Sequence, residues 1–183
     1  MSRCWRVVEV EAGWCGLAGS RLGLARCTLP HVDRTAAVEA VSPGAVEKPQ
    51  DDLLAEAAGL LEAYFSGQRV SFDLPLAPEG LTEFGERVLE ACAAIDYGAT
   101  LTYGDLGAGI GSPGAARAVG QALGRNPLLV VVPCHRVIGV DGSAVGFSAG
   151  LEWKLRLLKM EGSQLHQRPG ALRGHKVRAG DGE

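Results

Sequence analysis

The sequence predicts an α/β (α+β) N-terminal domain with a short antiparallel sheet and a helix, followed by a mainly helical domain with a helix-turn-helix. Short apolar runs separated by glycines fill the first forty residues, as in strands joined by turns. Beyond residue 80, apolar residues recur at helical spacing. Two prolines within residues 73–78 suit a boundary. We therefore expect domains at 1–78 and 79–162 and a mobile polar tail at 163–183.

The first domain is predicted to hold strands at residues 7–10 and 22–29, where apolar side chains are concentrated. Glycines between these runs predict turns: Gly13, Gly16 and Gly19. After a linker near residues 42–44, Asp51 and Asp52 supply anionic groups for the first turn of a helix. Gly67 is predicted to end that helix.

The second domain is predicted to open with a helix whose apolar face is marked by Leu81, Phe84, Val88, Cys92 and Ile95. Thr102 and Asp105 have the spacing of a capping box, which indicates a short helix.

Ser112 and Pro113 predict the start of the next helix, which should end near Gly124. These two short helices form the predicted helix-turn-helix. The apolar run at residues 128–132 predicts a buried strand that leads to Cys134, and residues 151–160 predict a last amphipathic helix.

Charge is distributed unevenly along the 183 residues, although the net charge is only -3. Residues 1–100 hold 8 Lys and Arg against 15 Asp and Glu, whereas residues 101–183 hold 10 against 6. This asymmetry indicates that the second half meets a polyanion. The sequence has no apolar run of membrane-spanning length, and its first residues lack the pattern of a signal peptide. We expect a soluble, cytoplasmic protein.

The five cysteines show no paired spacing, and no CxxC motif occurs. An odd number of scattered cysteines argues against a disulfide framework and favours a protein of a reducing compartment. Cys4 lies near Cys15 and Cys27 lies near His31, so a zinc site in the first domain is one interpretation. Scattered cysteines that fill a core are the favoured interpretation, with no metal bound.

Cys134 is the centre of the motif that carries chemistry. By itself, a cysteine after an apolar strand is more typical of packing than of catalysis. Here it belongs to an ordered set: Asn126-Pro127, Pro-Cys-His-Arg-Val-Ile-Gly at 133–139, Gly-Phe-Ser at 146–148, and Glu161. This set resembles the O6-alkylguanine-DNA alkyltransferases, for which Pro-Cys-His-Arg-Val is a specific signature. The resemblance covers the second domain and reaches the first through residues 64–67.

The resemblance implies a ribonuclease H-like first domain and a winged-helix second domain. It also implies DNA repair by one irreversible transfer of an alkyl group from O6-alkylguanine to Cys134. A thiolate is a strong nucleophile for such a carbon. By resemblance, His135 is the base that acts through a water and Glu161 orients it, while Tyr103 gives a proton to the departing guanine. No cofactor is implied.

The alkylated atom lies inside a base pair, so the nucleotide has to leave the stack. By resemblance, Arg117 fills the gap, and the slim helix around Ala115 and Ala116 enters the minor groove. Amides at the Pro113 end of that helix could hold a phosphate. A solvated Arg117 and a helix that is slim for packing are the alternatives. The implied partner is alkylated double-stranded DNA, bound by a monomer.

The base pocket implied by the resemblance consists mainly of backbone and small residues. The carbonyls of Cys134 and Val137 would accept from the guanine amino group, and the Ser148 amide would donate to the alkylated oxygen. Asn126 would brace the turn behind the cysteine, although an ordinary Asn-Pro turn is the alternative. The remaining lining is expected from Gly146 and Phe147.

The chain departs from the family at several positions. Phe147 replaces the usual Tyr, and Ala149 replaces a common Gly, which we expect to narrow the loop against bulky alkyl groups. Ser20 and Ala25 fall near positions that carry zinc ligands in some relatives.

Three other functions remain open at this point: a lesion-binding module that does not react, a Cys-His hydrolase, and a transcription regulator. Non-reacting relatives carry Trp in place of the cysteine, and a hydrolase would turn over repeatedly. A regulator would need side chains that read base edges, which the slim helix lacks.

Overall fold

The computed structural model describes residues 3–48 and 51–163. The first domain contains β1 (Arg3–Val10), β2 (Gly13–Ser20), β3 (Gly23–Cys27), α1 (Arg34–Val41), β4 (Ala45–Glu47) and α2 (Asp52–Phe65). The second contains α3 (Glu83–Ala93), β5 (Leu101–Thr102), α4 (Tyr103–Gly109), α5 (Ala116–Leu123), a 3-10 helix (Cys134–Arg136), β6 (Val137–Ile138) and α6 (Leu151–Met160). The predicted tail lies outside the described residues except for Ser163.

The sheet of the first domain has the strand order β3-β2-β1-β4. Strands β1, β2 and β3 pair antiparallel, in keeping with the predicted antiparallel sheet, although turns and not a strand were predicted where β2 lies. The sheet is nevertheless mixed, because β4 adds to β1 in the parallel direction. The sequence analysis predicted neither β4 nor α1, which connects β3 to β4. Three residues are too few to show a strand period, and α1 buries only Ala37 and Val41.

The prediction of turns at Gly16 and Gly19 is wrong, because both lie inside β2. The glycine at position 16 serves close packing between the sheet and α1. A Cβ at Gly16 would lie 2.7 Å from Cγ1 of Val41 and 2.8 Å from the Ala37 carbonyl oxygen. Glycine within a strand often marks such an approach of another backbone.

Helix α2 begins and ends as predicted. The Asp51 carboxylate accepts from the Leu54 amide at 3.3 Å, which caps the helix, and Gly67 follows its end with φ of 84°. One face of the helix packs on the sheet and its C-terminal end reaches the second domain. Its buried residues are Leu54, Ala57, Ala58, Leu61, Tyr64 and Phe65.

The second domain follows the predicted helical pattern with one shifted helix start. The capping box of α4 is present, with Thr102 and Asp105 bonded reciprocally. Helix α5, however, begins at Ala116 and not at Pro113. Pro113 and Gly114 occupy a type II turn, in which Gly114 has φ of 81° and the Ala115 amide donates to the Ser112 carbonyl. The Pro-Gly pair therefore forms a turn before the helix.

The predicted strand at residues 128–132 is also absent, and a tight turn takes its place. Val130 has φ of 73°, a conformation that is costly for a β-branched residue. Backbone bonds hold the turn against β3: the Cys27 amide donates to the Pro127 carbonyl, and the Leu129 amide donates to the Cys27 carbonyl. Tertiary contacts thus override the strand propensity of the valines. Helix α6 has the predicted bounds.

Among the described residues, no helix has the length and apolar character required to cross a membrane.

The segment that joins the domains is fastened to β3 at Gly23. The Leu24 amide donates to the Pro75 carbonyl at 2.8 Å, and the Ala77 amide donates back to the Leu24 carbonyl at 2.8 Å. A Cβ at Gly23 would lie 2.5 Å from the Pro75 oxygen, and its φ of 147° is unfavourable for other residues.

We expect Gly23→Ala to lower the free energy of unfolding by about 2 kcal/mol or more. Gly59→Ala is the matched control, because Gly59 lies within α2 with no atom near its added Cβ. That variant should be more stable by about 0.5–1 kcal/mol. Urea denaturation followed by circular dichroism measures both; equal effects of the two substitutions would contradict the close approach at Gly23.

Candidate active site

Cys134 lies at the start of the 3-10 helix, with 4% of its surface exposed. The Asn126 side chain holds the turn before it. Its amide nitrogen donates to the Val132 carbonyl at 2.9 Å and to Sγ of Cys134 at 3.2 Å, while its oxygen accepts from the Leu128 amide. The same side chain therefore contacts both the strained turn and the sulfur.

Burial raises the pKa of the Cys134 thiol, because a thiolate loses solvation there. The hydrogen bond from Asn126 and the charge of Lys154 act in the opposite direction without reversing the shift. The resting thiol is consequently protonated at neutral pH. A nucleophilic role for this sulfur requires a base.

A buried carboxylate lies beside this helix. Oε1 of Glu161 accepts from His135 Nε2 at 2.8 Å, Arg136 Nη2 at 2.9 Å and the Tyr64 hydroxyl at 2.6 Å. Oε2 accepts from Arg136 Nε at 2.8 Å and from the Gly98 amide at 3.2 Å. Burial opposes ionisation, but the hydrogen bonds from His135 and Arg136 outweigh it and hold the pKa of Glu161 well below its usual range.

The ionised carboxylate fixes the state of His135. A carboxylate can only accept, so Nε2 of His135 carries a proton. Burial lowers the pKa of His135 although Glu161 raises it, so the imidazole is neutral at pH 7. Nδ1 is therefore the basic nitrogen, and among the described residues it has no hydrogen-bond partner. The ring next to Cys134 in sequence has the state that a general base needs.

Lys154 is completely buried and forms a second polar cluster. Its ammonium donates to the carbonyls of Val137 at 2.6 Å, Val145 at 2.7 Å and Gly146 at 3.2 Å. Burial lowers the pKa of Lys154 to about 8. These bonds tie α6 to β6 and to the loop before Phe147.

Tyr103 lies next to this lysine. Its hydroxyl is 2.9 Å from the Val145 carbonyl oxygen and 3.4 Å from Nζ of Lys154. Burial, together with Cys134 and Cys92, raises the pKa of Tyr103 to about 12. Its ring packs over α5, where a Cβ at Gly120 would lie 3.6 Å from it.

A cavity of about 470 Å³ brings most of the predicted site residues together. Its volume lies within the range of small-ligand pockets, and its lining is mostly apolar. The predicted residues that line it are Tyr103, Ala116, Arg117, Cys134, Gly146, Phe147 and Ser148. Arg117 is exposed at this cavity, so the side chain predicted to contact DNA and the predicted nucleophile border one space.

Several residues singled out from the sequence are not part of this lining, and His135 and Glu161 belong instead to the buried carboxylate cluster described above. Pro113 is exposed in the turn before α5. The backbone amides at the N-terminus of that helix therefore lie further along the chain than expected. Val137 is buried, and its carbonyl already accepts from Lys154. Ala149 lines a different cavity, beside Trp153. Asn126 lies behind the sulfur, and Ala115 precedes the helix.

Three residues that the sequence analysis did not single out hold the site together: Lys154, Arg136 and Tyr64. Lys154 has a detectable signal, since it shares the buried face of α6 with Leu157 and Leu158 at helical spacing. A lysine on an apolar face is unusual unless its ammonium is paired. Arg136 belongs to the signature and Tyr64 to the resembling stretch at residues 64–67, but neither was given a role, because their contacts join distant parts of the chain.

Within residues 3–48 and 51–163, no three His, Cys, Asp or Glu side chains are grouped so that they could hold a metal ion.

Comparison with known proteins identifies the family. Residues 5–78 match the ribonuclease-like domain of 6-O-methylguanine DNA methyltransferase, and residues 83–163 match its DNA binding domain. This chain is a member of the 6-O-methylguanine DNA methyltransferase family. Its fold is accordingly the two-domain fold of that family, with a sheet and helix domain before a helical DNA-binding domain.

Relatives of this methyltransferase span nearly the same length. The methylated-DNA–protein-cysteine methyltransferase of Methanosarcina barkeri is 43% identical over 159 residues, which cover 87% of this chain and 97% of the relative. That of Methanosarcina acetivorans is 52% identical over 113 residues, 62% of this chain and 72% of the relative. The structure of Mycobacterium tuberculosis OGT in complex with DNA has a TM-score of 0.73 at 38% identity, covering 86% and 92% of the two chains.

We expect Glu161→Gln to lower the free energy of unfolding at pH 7 by about 3 kcal/mol or more, because it leaves buried Arg136 without its counter-ion. The folded carboxyl has a lowered pKa, so its contribution is present above the unfolded value near 4.5 and declines as the pH falls further. The difference between variant and parent should therefore shrink below that pH.

Glu47→Gln is the control, because Glu47 pairs with Arg34 on the surface. Urea denaturation from pH 4 to pH 7 measures both variants. A Glu161→Gln deficit that stays constant with pH would contradict a stabilising ionised carboxylate.

Proposed function

We propose that this methyltransferase repairs O6-alkylguanine in DNA by transferring the alkyl group to Sγ of Cys134. The observation that carries the assignment is the cavity that Cys134, Tyr103 and Arg117 line together. Its relatives are methylated-DNA–protein-cysteine methyltransferases, and one related structure holds DNA. A reactive thiol and a DNA-facing arginine at one cavity suit a base that leaves the duplex to react.

The proposed reaction begins with loss of the thiol proton to Nδ1 of His135, through a water as the family resemblance implies. Sγ then attacks the alkyl carbon, a carbon–sulfur bond forms, and the carbon–oxygen bond breaks with its electron pair on the guanine. Glu161 stabilises the imidazolium formed on His135. The thioether has no hydrolytic group facing it in this proposal, so each molecule reacts once.

Tyr103 is proposed to give the departing guanine its proton. A phenol with a pKa of about 12 is a weak acid at rest, so this transfer needs help. The Lys154 ammonium is 3.4 Å from the phenol oxygen and would stabilise the phenolate that forms. We therefore add Lys154 to the site as a positioning residue for Tyr103 and the loop at 145–146.

The other residues predicted for the base pocket also fit this proposal. Phe147 and Gly146 would wall the base pocket, and Ser148 would supply its amide to the alkylated oxygen. Val137 would contribute to guanine recognition through the second lone pair of its carbonyl. Asn126 would hold Cys134 and the turn in place, as its contacts to both support.

The finer description of the fold is part of the same proposal. Helices α4 and α5 would form the helix-turn-helix of a winged-helix domain, and the first domain would be ribonuclease H-like. The division at residue 78 is supported by the family matches, which end at 78 and resume at 83. DNA is the partner. That the protein is a monomer stays a prediction from the resemblance, and that it is cytoplasmic stays a prediction from its composition.

Cys134→Ala should bind a duplex with one O6-methylguanine and gain no methyl mass, because the acceptor atom is gone. Intact-protein mass spectrometry after incubation with that duplex measures the transfer. Cys92→Ala, which removes a fully buried thiol of the same domain, should still gain one methyl group. A methylated Cys134→Ala protein would refute the assignment, and repeated turnover by the parent would favour a hydrolase.

Arg117→Ala should slow transfer from the duplex by about tenfold or more while changing transfer from free O6-methylguanine little, because only the duplex requires base extrusion. Arg125→Ala is the matched control, since Arg125 is an exposed arginine just beyond the same helix. Single-turnover rates on both substrates measure the ratio. Equal losses on the two substrates, or an equal ratio in Arg125→Ala, would contradict the extrusion role.

A further inference from the structure

Tyr64 brings the N-terminal domain into the polar cluster of the active site. It lies in the last turn of α2, and its side chain is fully buried. Its hydroxyl donates to Oε1 of Glu161 at 2.6 Å, the shortest of the five bonds to that carboxylate. This oxygen also accepts from Nε2 of His135. The phenol and the imidazole therefore share one acceptor atom across the two domains.

Aromatic contacts fix the phenol in this position. The Tyr64 ring lies edge-on to Phe65 and to Tyr97, with centroid distances of 5.3 Å and 6.1 Å. Phe72, from the segment that joins the domains, lies at 6.1 Å. A ring held on three sides presents its hydroxyl with little freedom to turn away.

Donors that share an oxygen compete for its electron density. A carboxylate oxygen that accepts a short bond from a phenol has less charge to stabilise a neighbouring imidazolium. The hydroxyl of Tyr64 should thus make His135 a weaker base than Glu161 alone would make it. A weaker base remains unprotonated at lower pH and is available to take a proton from Cys134.

We propose that Tyr64 is a positioning residue for the transfer reaction, through which the N-terminal domain sets the basicity of His135 by way of Glu161. This inference rests on the proposed roles of Cys134 and His135. It gives the N-terminal domain a chemical part in a reaction whose other groups all belong to the second domain.

Other charged and titratable groups face the same cluster. His135 is also under the influence of Arg136 from its own helix and of Lys154 from α6. Glu161 is bonded to Arg136, and Tyr97 lies near it from the loop after α3. The guanidinium groups of Arg69 and Arg136 both lie over the Tyr97 ring.

The test is the pH profile of single-turnover methyl transfer to Cys134 at saturating duplex, from pH 5 to pH 9. Tyr64→Phe removes the competing donor, so the pKa of His135 should rise and the acid limb should move up by about half a pH unit. On that limb the rate should fall about threefold. Tyr97→Phe is the matched control, because its hydroxyl is 3.4 Å from the Met160 carbonyl oxygen and not on Glu161; its profile should match the parent.

A second variant covers the case in which Tyr64→Phe folds poorly. Replacing Tyr64 by 3-fluorotyrosine keeps the ring and hydroxyl but makes the phenol a stronger donor, so the acid limb should move to lower pH. An unchanged limb in both variants, a uniform rate loss at all pH values, or an equal shift in Tyr97→Phe would overturn the proposal. A parent protein that gains no methyl group on Cys134 would instead refute the proposed function.

Discussion

The buried carboxylate of Glu161 accepts five hydrogen bonds from four residues, and these residues come from separate parts of the chain. An isolated buried charge is costly, so this anion persists only because donors surround it. Arg136 supplies its counter-charge and Gly98 supplies a backbone amide, while Tyr64 reaches it from the other domain. The tautomer of His135 depends on this one group, which also joins the end of α6 to the 3-10 helix and to α2 of the first domain.

Burial shifts the pKa of the Cys134 thiol and that of His135, its proposed base, in opposite directions. Burial raises the pKa of Cys134 and lowers that of His135, so both groups are neutral at rest. A buried thiol that stays protonated is protected from unwanted reactions, since the thiolate is the reactive form. Nucleophilic attack then needs a proton transfer within a site that already stabilises the resulting imidazolium.

The cavity brings Cys134 close to Arg117, the residue proposed to act on DNA. Helix α5 contributes Ala116, Arg117 and Gly120 to its lining, and the loop held by Lys154 contributes Gly146 and Phe147. The buried ammonium therefore organises one wall by bonding three backbone carbonyls. Small residues on α5 keep the other wall close to the Tyr103 ring.

The sequence by itself determined the helices with strong periodicity or caps, namely α2, α3, α4 and α6, and the residues of the signature around Cys134. Local patterns carry that information, since caps and apolar periods act over a few residues. Tertiary structure decided that residues 128–132 form a turn instead of a strand and that α1 packs closely against Gly16. It also decided that Tyr64, Arg136 and Lys154 join the site. Those outcomes depend on which distant groups satisfy a buried charge or occupy a close approach, and no local pattern along the chain encodes such a partner.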